Sequence, residues 1–331
     1  MVNNQTSLLK YDELFAGLPG QFEREAGAVY RTQYEQNELY RQFARLVSKD
    51  PESCAVPEQF PFLPISFFKT RSVRTGEFVP EIIFESSGTT GQTVSRHEVK
   101  SVSLYRESFL RGFELFYGPV SDYCILGLLP AYLERAGSSL VFMVDELIRQ
   151  SRHPQSGFYL DELNHLHDLL LGLEERKQKT LLIGVSFALL DFAEAFPAQL
   201  KSTLIMETGG MKGRREEITR ARLHEILGLA FGQEEIHSEY GMTELLSQAY
   251  SAGNGIYRPV PWMKMMIRKE DDPMDVQSTG EGLLNIIDLA NRDSCSFIAT
   301  DDLAKVYADG SFEVLGRMDN SDLRGCSLLT V

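Results

Sequence analysis

The sequence predicts an α/β fold with parallel strands buried on both faces, followed by a small β-rich region. Between residues 123 and 228, apolar runs of strand length alternate with helical patterns. Such continuous apolar runs are typical of parallel strands that helices cover on both sides. After about residue 255 the pattern changes to short β-like runs that turn residues separate, including the pair Asp309-Gly310.

The individual elements follow from periodicity and from the residues that end them. Apolar side chains recur at helical spacing through the first fifty residues up to Pro51, and again over residues 102–117. Short extended runs are expected at Ile65–Phe68 and Glu81–Phe84, and a further apolar element at Leu140–Val144. The predicted strands of the α/β region are 123–129, 181–185 and 203–206, and its helices are 160–173, 187–195 and 214–228. The predicted β-like runs of the last region are 263–268, 282–288, 303–307 and 311–315.

These patterns predict a chain of four consecutive parts. The parts are an N-terminal helical region (1–79), an α/β core (80–254), a β-rich subdomain (255–315) and a C-terminal arm (316–331). A length of 331 residues suggests about two domains, or one large domain with an appendage.

Composition narrows the class of protein. The chain has 33 basic and 47 acidic residues, a net charge of −14, with 43% hydrophobic and 24% charged residues. This is ordinary globular composition and not that of a disordered or fibrous chain. The acidic balance argues against nucleic acid or an anionic membrane surface as a partner, because both need clustered Lys and Arg.

Cysteine usage and the N-terminus indicate a cytoplasmic protein. The four cysteines lie far apart in the sequence, which is typical neither of a zinc ribbon nor of a disulfide scaffold. The first residues contain no basic and apolar signal peptide, and no apolar run approaches about 18 residues. We therefore expect no membrane span.

A hydroxyl-rich loop directly follows the apolar run 82–84. Its two glycines permit tight turns, and its backbone and hydroxyl donors can hold phosphate oxygens. The candidate phosphate-binding residues are Ser86, Ser87, Gly88, Thr89, Thr90 and Gly91. No Gly-Lys-Ser/Thr follows as in a Walker loop, and taken alone the segment is more typical of a polar hairpin turn.

A second segment, residues 237–244, places an aromatic ring, a glycine, a hydroxyl and a carboxylate within five positions. Tyr240 can lie flat against an adenine, and Gly241 lets the backbone approach it. Thr243 can donate to an α-phosphate, and Glu244 can hold Mg²⁺, a hard cation that prefers oxygen ligands. The alternative is a surface loop that opens a helix at Thr243.

Four smaller features add candidates. Asp302, just after a predicted strand, can bind ribose hydroxyls, although a solvated turn explains it equally well. Arg317 offers a planar cation to phosphate or ribose oxygens. Gly209-Gly210 would let adenine or an acyl chain approach the backbone, or it forms a plain turn. His237, just before Tyr240, is a candidate for the pocket of an acyl-adenylate.

The hydroxyl-rich loop, the Tyr-Gly-x-Thr-Glu segment, the Thr-x-Asp-Leu segment and the Gly-Arg-x-Asp segment resemble, in this order, the adenylate-forming superfamily. That superfamily includes acyl-CoA synthetases, nonribosomal adenylation domains and firefly luciferase. The resemblance spans about residues 80–326. It implies a large α/β domain with a small β-rich subdomain, ATP and Mg²⁺ as cofactors, and conversion of a carboxylic acid into an acyl-AMP.

Within that superfamily the sequence is most similar to the LuxE-type acyl-protein synthetases, the long-chain-fatty-acid–luciferin-component ligases. The segments that point there are 129–135, 137–140, 208–213 and 316–326. This resemblance implies a fatty acid as substrate and Cys326 as the acyl acceptor. It also implies a partner protein such as a fatty-acid reductase; the oligomeric state is left open.

The sequence departs from the superfamily in two ways. Most members have Pro-Lys-Gly after the phosphate loop, whereas this chain reads Gln92-Thr93-Val94-Ser95-Arg96. We expect the usual C-terminal domain with its adenylation lysine to be absent, and Lys212 or a partner is then the candidate to supply that contact. Two alternatives therefore stay open: a carboxylate–CoA ligase of the phenylacetate type, and a non-catalytic subunit that binds an acyl group or a nucleotide.

Overall fold

The computed structural model describes residues 8–16, 20–87, 93–129, 137–209 and 218–318. The helices are α1 (Tyr11–Phe15), α2 (Phe22–Gln36), α3 (Glu38–Leu46), α4 (Phe67–Thr70), α5 (Val102–Tyr117), α6 (Ser139–Ser151), α7 (Leu163–Glu175), α8 (Ser186–Ala195) and α9 (Arg220–Phe231). The strands are β1 (Leu63–Pro64), β2 (Ile82–Glu85), β3 (Arg96–Val99), β4 (Cys124–Leu128), β5 (Gly157–Phe158), β6 (Thr180–Val185), β7 (Thr203–Thr208), β8 (His237–Tyr240), β9 (Ala249–Ser251), β10 (Ile256–Pro259), β11 (Met263–Arg268), β12 (Val276–Gln277), β13 (Gly280–Asp288), β14 (Phe297–Val306) and β15 (Phe312–Arg317).

The chain divides into two compact units. The α/β unit is Phe78–Val260, and the β-rich unit combines Met1–Glu77 with Pro261–Val331. The division into four consecutive parts stays a prediction from the sequence pattern. Among the described residues, no helix combines the length and the apolar character that crossing a membrane requires.

The α/β unit is built on a mixed sheet with the strand order β10-β9-β8-β7-β6-β4-β5. Strands β5, β4, β6, β7 and β8 are parallel to their neighbours, whereas β9 pairs antiparallel with β8 and with β10. Every residue of β4 and of β6 is buried, as expected for parallel strands covered on both faces. The α/β fold class predicted from the apolar runs is confirmed.

Two glycines allow close packing in this sheet. A Cβ at Gly184 would lie 2.8 Å from the Leu128 Cβ and 3.1 Å from the Leu189 Cγ, and a Cβ at Gly127 would lie 2.8 Å from the Phe158 ring. Separations this short lie well inside van der Waals contact, so neither position has room for a side chain. Because both residues are glycines, β4 and β6 can pack closely against each other and against the side chains that cover them.

A two-stranded antiparallel hairpin, β2–β3, flanks the hydroxyl-rich loop. It runs from the Ile82–Val99 pair to the Glu85–Arg96 pair, next to the loop. In β3, His97 and Val99 are buried, whereas Arg96 and Glu98 are not. This period of two points the His97 ring inward.

The β-rich unit contains an antiparallel sheet in the order β12-β11-β13-β14-β15, and β1 pairs parallel with β14. Its core includes Tyr30, Tyr40, Phe60 and Phe297, whose rings contact one another with centroids 4.7–6.0 Å apart. The N-terminal helices α2 and α3 supply the two tyrosines, so the predicted helical region packs on the predicted β-rich sheet.

Most predicted elements are present, and three differ. Ile65–Phe68 is not extended, because Phe68 N donates to the Ile65 carbonyl at 3.1 Å and helix α4 already begins at Phe67. The burial of Ile65 and Phe68 therefore has helical spacing. Leu140–Val144 lies inside α6. The helix expected over 214–228 starts at Arg220 and runs to Phe231 because the Thr219 side chain caps the amide of Arg222 and Gly232 ends it with φ +64°; residues 214–217 lie outside the described residues.

The close packing at Gly184 predicts a stability effect that another glycine should not show. Gly184→Ala forces a methyl group against Leu128 and should destabilise the fold by about 1–3 kcal/mol. The control is Gly172→Ala in α7, where the nearest atoms are the flexible end of Arg176 at 3.9 Å. That change should be neutral, or stabilising by up to about 1 kcal/mol. Urea unfolding of both variants measures the difference; equal effects would contradict the proposed close packing.

Candidate active site

The carboxyl ends of β7 and β8 lie side by side in the α/β unit. The two strands are parallel, and Thr208 is paired with Glu239 at their ends. Gly209 follows β7, and Tyr240 is the last residue of β8. On its other side β8 pairs antiparallel with β9, where Glu239 is opposite Tyr250. The two predicted segments that begin at Gly209 and at Tyr240 therefore leave the sheet at the same edge.

The segment after β8 holds polar groups close to the strand end. Tyr240 is 9% exposed, and its ring packs against Tyr257 with the centroids 5.9 Å apart and the planes at 64°. Gly241 is exposed, Thr243 is half-buried and Glu244 is buried. Residues 243–244 form a turn, so no helix opens at Thr243. A hydroxyl and a carboxyl group are thus held beyond the end of the strand by a turn.

His97 connects the hydroxyl-rich loop to this segment. Its Nδ1 lies 2.8 Å from the Thr243 carbonyl oxygen, so this ring nitrogen donates the hydrogen bond. The loop is closed at its base, where Ser86 N donates to Ser95 O at 3.0 Å and Ser95 N donates to Ser86 Oγ at 2.9 Å. Because His97 directly follows the loop in β3, this contact fixes one end of the loop against the Thr243 backbone.

Glu239 places a carboxyl group inside the same edge. It is 6% exposed, and Thr208 Oγ1 donates to its Oε2 at 2.5 Å. A Cβ at residue 241 would lie 2.5 Å from Glu239 Oε1, so the other carboxyl oxygen packs against the backbone of Gly241. Burial raises the pKa of Glu239 to about 7; the Thr208 bond opposes this shift and the Glu207 carboxylate adds to it.

Glu207 is equally buried but is paired with the cation of Arg220. Arg220 Nε lies 3.2 Å and His224 Nε2 3.7 Å from Glu207 Oε1. The Ser186 hydroxyl lies 3.4 Å from Glu207 Oε2 and donates to the Gly209 carbonyl at 2.5 Å. Gly209 has φ +70°, a conformation that favours glycine. The polar groups beneath the end of β7 therefore hold Gly209 in a fixed backbone conformation.

His237 lies at the opposite end of β8 from Tyr240. Its Nδ1 is 3.3 Å from the Tyr117 hydroxyl in α5, and burial lowers its pKa. Three steps along the strand separate it from Tyr240 by about 10 Å. The structure thus does not bring His237 to the edge where Thr208 and Tyr240 lie, and its role in holding an acid stays a prediction.

In the β-rich unit, Asp302 and Arg317 occupy opposite positions on β14 and β15. Arg317 Nε lies 3.9 Å from Asp302 Oδ1, with the Asp302 side chain 16% and the Arg317 side chain 63% exposed. An ion pair this long with an exposed partner contributes little to stability. This contact therefore holds the exposed Arg317 guanidinium only weakly.

Buried Arg268 stabilises, by hydrogen bonds, the backbone of the segment before Asp302. It is 8% exposed and donates to Thr300 O at 2.7 Å, to Asn285 Oδ1 at 2.8 Å and to Leu284 O at 3.2 Å. The Thr300 hydroxyl donates to Leu284 O at 2.9 Å and accepts from Asp302 N at 3.2 Å. These bonds fix the backbone that positions Asp302.

Several predicted site residues cannot be placed. Those that lie outside the described residues are Gly88, Thr89, Thr90, Gly91, Gly210, Lys212 and Cys326. Ser87, at the edge of the loop, is exposed. Cys54, Cys124 and Cys295 are free and buried, and burial raises the pKa of Cys124 to about 11 and of Cys295 to about 12. Among the described residues, no group of three or more His, Cys, Asp or Glu side chains is arranged to hold a metal ion.

The sequence-based interpretation missed His97, Thr208 and Glu239. His97 had a detectable signal, since it alternates with Val99 in a short strand directly after the loop. Glu239 is a charged residue in a strand whose last three residues are buried, and it directly precedes Tyr240 of the motif. Only the pairing of β7 with β8 shows that Thr208 is its partner.

Comparison with solved structures identifies the fold. The crystal structure of 2-hydroxyisobutyryl-CoA ligase in the postadenylation state with 2-HIB-AMP matches with a TM-score of 0.64 at 13% identity, covering 96% of this chain and 73% of that one. ATP-bound MatB from Rhodopseudomonas palustris matches with a TM-score of 0.53 at 14% identity, and an ATP-bound RpMatB–BxBclM chimera with 0.55 at 15%. Each of these two matches covers 73% of this chain, which spans about half (49%) of their length.

No protein-family model matches the sequence, and the comparison with curated proteins finds no match. At identities this low the likeness to solved structures concerns the fold alone. The chain has the α/β fold of the adenylate-forming ligases, as its motifs predicted.

The raised pKa of Glu239 predicts an unusual dependence of stability on pH. Between the ordinary pKa of 4.5 and about 7, the folded chain keeps a proton that the unfolded chain has lost. The free energy of unfolding therefore falls as pH rises through this window, by up to about 1.4 kcal/mol per pH unit from this group. Glu239→Gln, which resembles the protonated form, should remove this contribution.

Urea unfolding at about pH 5 and about pH 8 measures the effect as the difference between Glu239→Gln and the wild-type chain. The variant should gain about 2 kcal/mol relative to wild type at the higher pH. Glu225→Gln is the control, since that carboxylate is 57% exposed in a surface ion pair with Arg222. Parallel pH profiles for wild type and Glu239→Gln would contradict the burial argument.

Proposed function

We propose that this chain activates a carboxylic acid with ATP, forming an acyl-AMP and releasing pyrophosphate. The observation that supports this best is the hydrogen bond from His97 to the Thr243 carbonyl at 2.8 Å. It joins the strand after the hydroxyl-rich loop to the segment that holds Thr243 and Glu244. The base of the loop that carries the proposed phosphate donors is thereby anchored to the segment with the Thr243 hydroxyl and the Glu244 carboxylate.

The proposed reaction is an attack of a carboxylate oxygen on the α-phosphorus of ATP. One oxygen–phosphorus bond forms, and the bond from the α-phosphorus to the pyrophosphate oxygen breaks. Thr243 donates its hydroxyl to an α-phosphate oxygen, while backbone and hydroxyl donors of residues 86–91 hold the other phosphates. Donors fixed in advance stabilise the charge that gathers there, because they need no reorganisation during the reaction.

The proposed contacts of the nucleoside use the remaining predicted residues. The Tyr240 ring and the backbone of Gly209 contact the adenine, and Gly210 extends the latter surface. Asp302 accepts from the ribose hydroxyls, and Arg317 donates to phosphate or ribose oxygens. Two solved structures of this fold are described as bound to ATP and one as bound to 2-HIB-AMP, which supports a nucleotide at this site.

Glu244 fits a magnesium ligand. Mg²⁺ is commonly held in proteins by one or two carboxylates together with phosphates and water, so one protein carboxylate suffices. When bound, Mg²⁺ would neutralise phosphate charge during the attack of one anion on another. Lys212 remains the proposed source of a further cation at the reacting groups.

The resemblance to LuxE-type synthetases supports a fatty acid as substrate and Cys326 as acceptor. In this second step the thiolate sulfur attacks the acyl carbonyl carbon and the carbon–oxygen bond to AMP breaks. The thiol proton passes to solvent before the attack, and AMP leaves as the anion. The resulting thioester would be delivered to a partner protein such as a fatty-acid reductase.

A second acceptor has its own support. The solved structure that covers 96% of this chain is that of a CoA ligase, which favours coenzyme A as the alternative thiol. Both acceptors require the same acyl-AMP, so acid activation can be tested before the acceptor is known.

Acid activation predicts ATP–pyrophosphate exchange that depends on an added carboxylic acid. Thr243→Val and Glu244→Gln should each reduce the exchange rate by at least about a hundredfold, as the loss of a donor to transition-state charge does elsewhere. Glu225→Gln, a change at the exposed surface of α9, should leave the rate unchanged. Absence of exchange in the wild-type chain across aliphatic and aromatic acids, with Mg²⁺ present, would overturn the proposed function.

The acceptor is tested with radiolabelled fatty acid and ATP. Cys326→Ser should abolish hydroxylamine-labile label on the protein while acid-dependent exchange continues, because the serine variant still forms the acyl-AMP. Peptide mapping of the labelled wild-type chain should place the label on the peptide that contains Cys326. Acyl-CoA formation that is unaffected by Cys326→Ser, with no label on the protein, would instead identify a CoA ligase.

A further inference from the structure

Glu239 lies at the last position at which β7 and β8 are paired. The parallel ladder joins Met206 to His237, Glu207 to Ser238 and Thr208 to Glu239. Beyond this position the backbones of β7 and β8 are no longer paired. The side-chain hydrogen bond from Thr208 to Glu239 is thus a cross-link at the point of separation.

The two sides of β8 are held differently at this point. Tyr240 is still paired with Ala249 of β9, so its backbone is fixed on that side. On the side of β7, Gly209 has already left the ladder. The unpaired interval between Gly209 and Tyr240 is therefore the gap that follows the last pair, and the Thr208–Glu239 bond lies one residue before it on both strands.

The carboxyl group contacts both borders of this gap. Oε2 accepts from Thr208, the residue before Gly209, and Oε1 packs against Gly241, the residue after Tyr240. The Glu239 side chain is 6% exposed, so water does not compete strongly for either oxygen. A group held in this way fixes the separation of two backbone segments and does not merely fill space.

We propose that Glu239 is a positioning residue for the nucleotide, whose bond to Thr208 sets the separation between the Gly209 backbone and the Tyr240 ring. This inference rests on the proposed function, because the ligand between these two surfaces would be the planar base of ATP. The hydrogen bond acts on the fit of the base and not on the reacting phosphorus. Its loss therefore weakens ATP binding and leaves the chemical step largely intact.

The chain provides a matched control at the other end of the same strand. Thr203 begins β7, is buried, and donates its Oγ1 to Glu174 Oε1 at 2.6 Å. Thr203→Val and Thr208→Val remove the same kind of hydrogen bond from one strand. Each should lower the stability to a similar extent, but only Thr208 lies next to the proposed base.

The test measures KM for ATP, KM for the acid and kcat in the exchange assay, and the Kd for ATP by calorimetry. Thr208→Val and Glu239→Ala should each raise KM and Kd for ATP about tenfold, which is the loss of one hydrogen bond to a carboxyl group. The KM for the acid and kcat should change by less than about twofold. Thr203→Val should show none of these shifts.

Glu239→Gln should recover most of the ATP affinity, since an amide oxygen also accepts from the Thr208 hydroxyl. A rise in KM for ATP that is equal in Thr208→Val and Thr203→Val would overturn the proposal and leave only a structural role. If the wild-type chain binds ATP but exchanges no pyrophosphate, acid activation fails while the Kd ratios still decide the role of Glu239. If it binds no ATP, both proposals fail.

Discussion

The hydrogen bond between Thr208 Oγ1 and Glu239 Oε2 joins the ends of β7 and β8 at the edge of the sheet where the candidate site begins. Strand β8 is parallel to β7 and antiparallel to β9, so the segments that follow β7 and β8 both leave the sheet at this edge. A side-chain bond at this position can hold them together where backbone pairing has ended. It also explains the glycine at 241, because any Cβ there would meet the carboxyl oxygen.

Charge is the second constraint, since a chain with a net charge of −14 would have to bind an anionic nucleotide. The sequence places Glu207, Glu239 and Glu244 around the proposed site. The fold offsets two of these charges: Arg220 pairs with Glu207, and burial keeps Glu239 largely protonated below about pH 7. Glu244 is the carboxylate proposed to hold Mg²⁺. Local pairing and burial, and not the overall charge, therefore set the field at this edge.

The sequence was sufficient for the fold class because buried parallel strands such as β4 and β6 need continuous apolar runs, which are visible without coordinates. The motif around Tyr240 was also recognisable, since its residue types are close in the sequence. The roles of His97 and Thr208 were not, because their partners lie 146 and 31 residues away along the chain. Contacts of this kind depend on strand order, which local patterns do not determine.

The energetic character of Glu239 separates a positioning role from ordinary packing. A side chain selected only to fill this space would be apolar, since burying a carboxyl group destabilises the fold once the group ionises. Unfavourable groups persist mainly where a site requires their geometry, and Glu239 lies between the two segments to which nucleotide binding is proposed. The bond to Thr208 recovers part of the destabilisation, and the contact with Gly241 uses the remaining oxygen. A buried carboxyl group with both oxygens in use at one strand end is best explained by the need to hold that end in place.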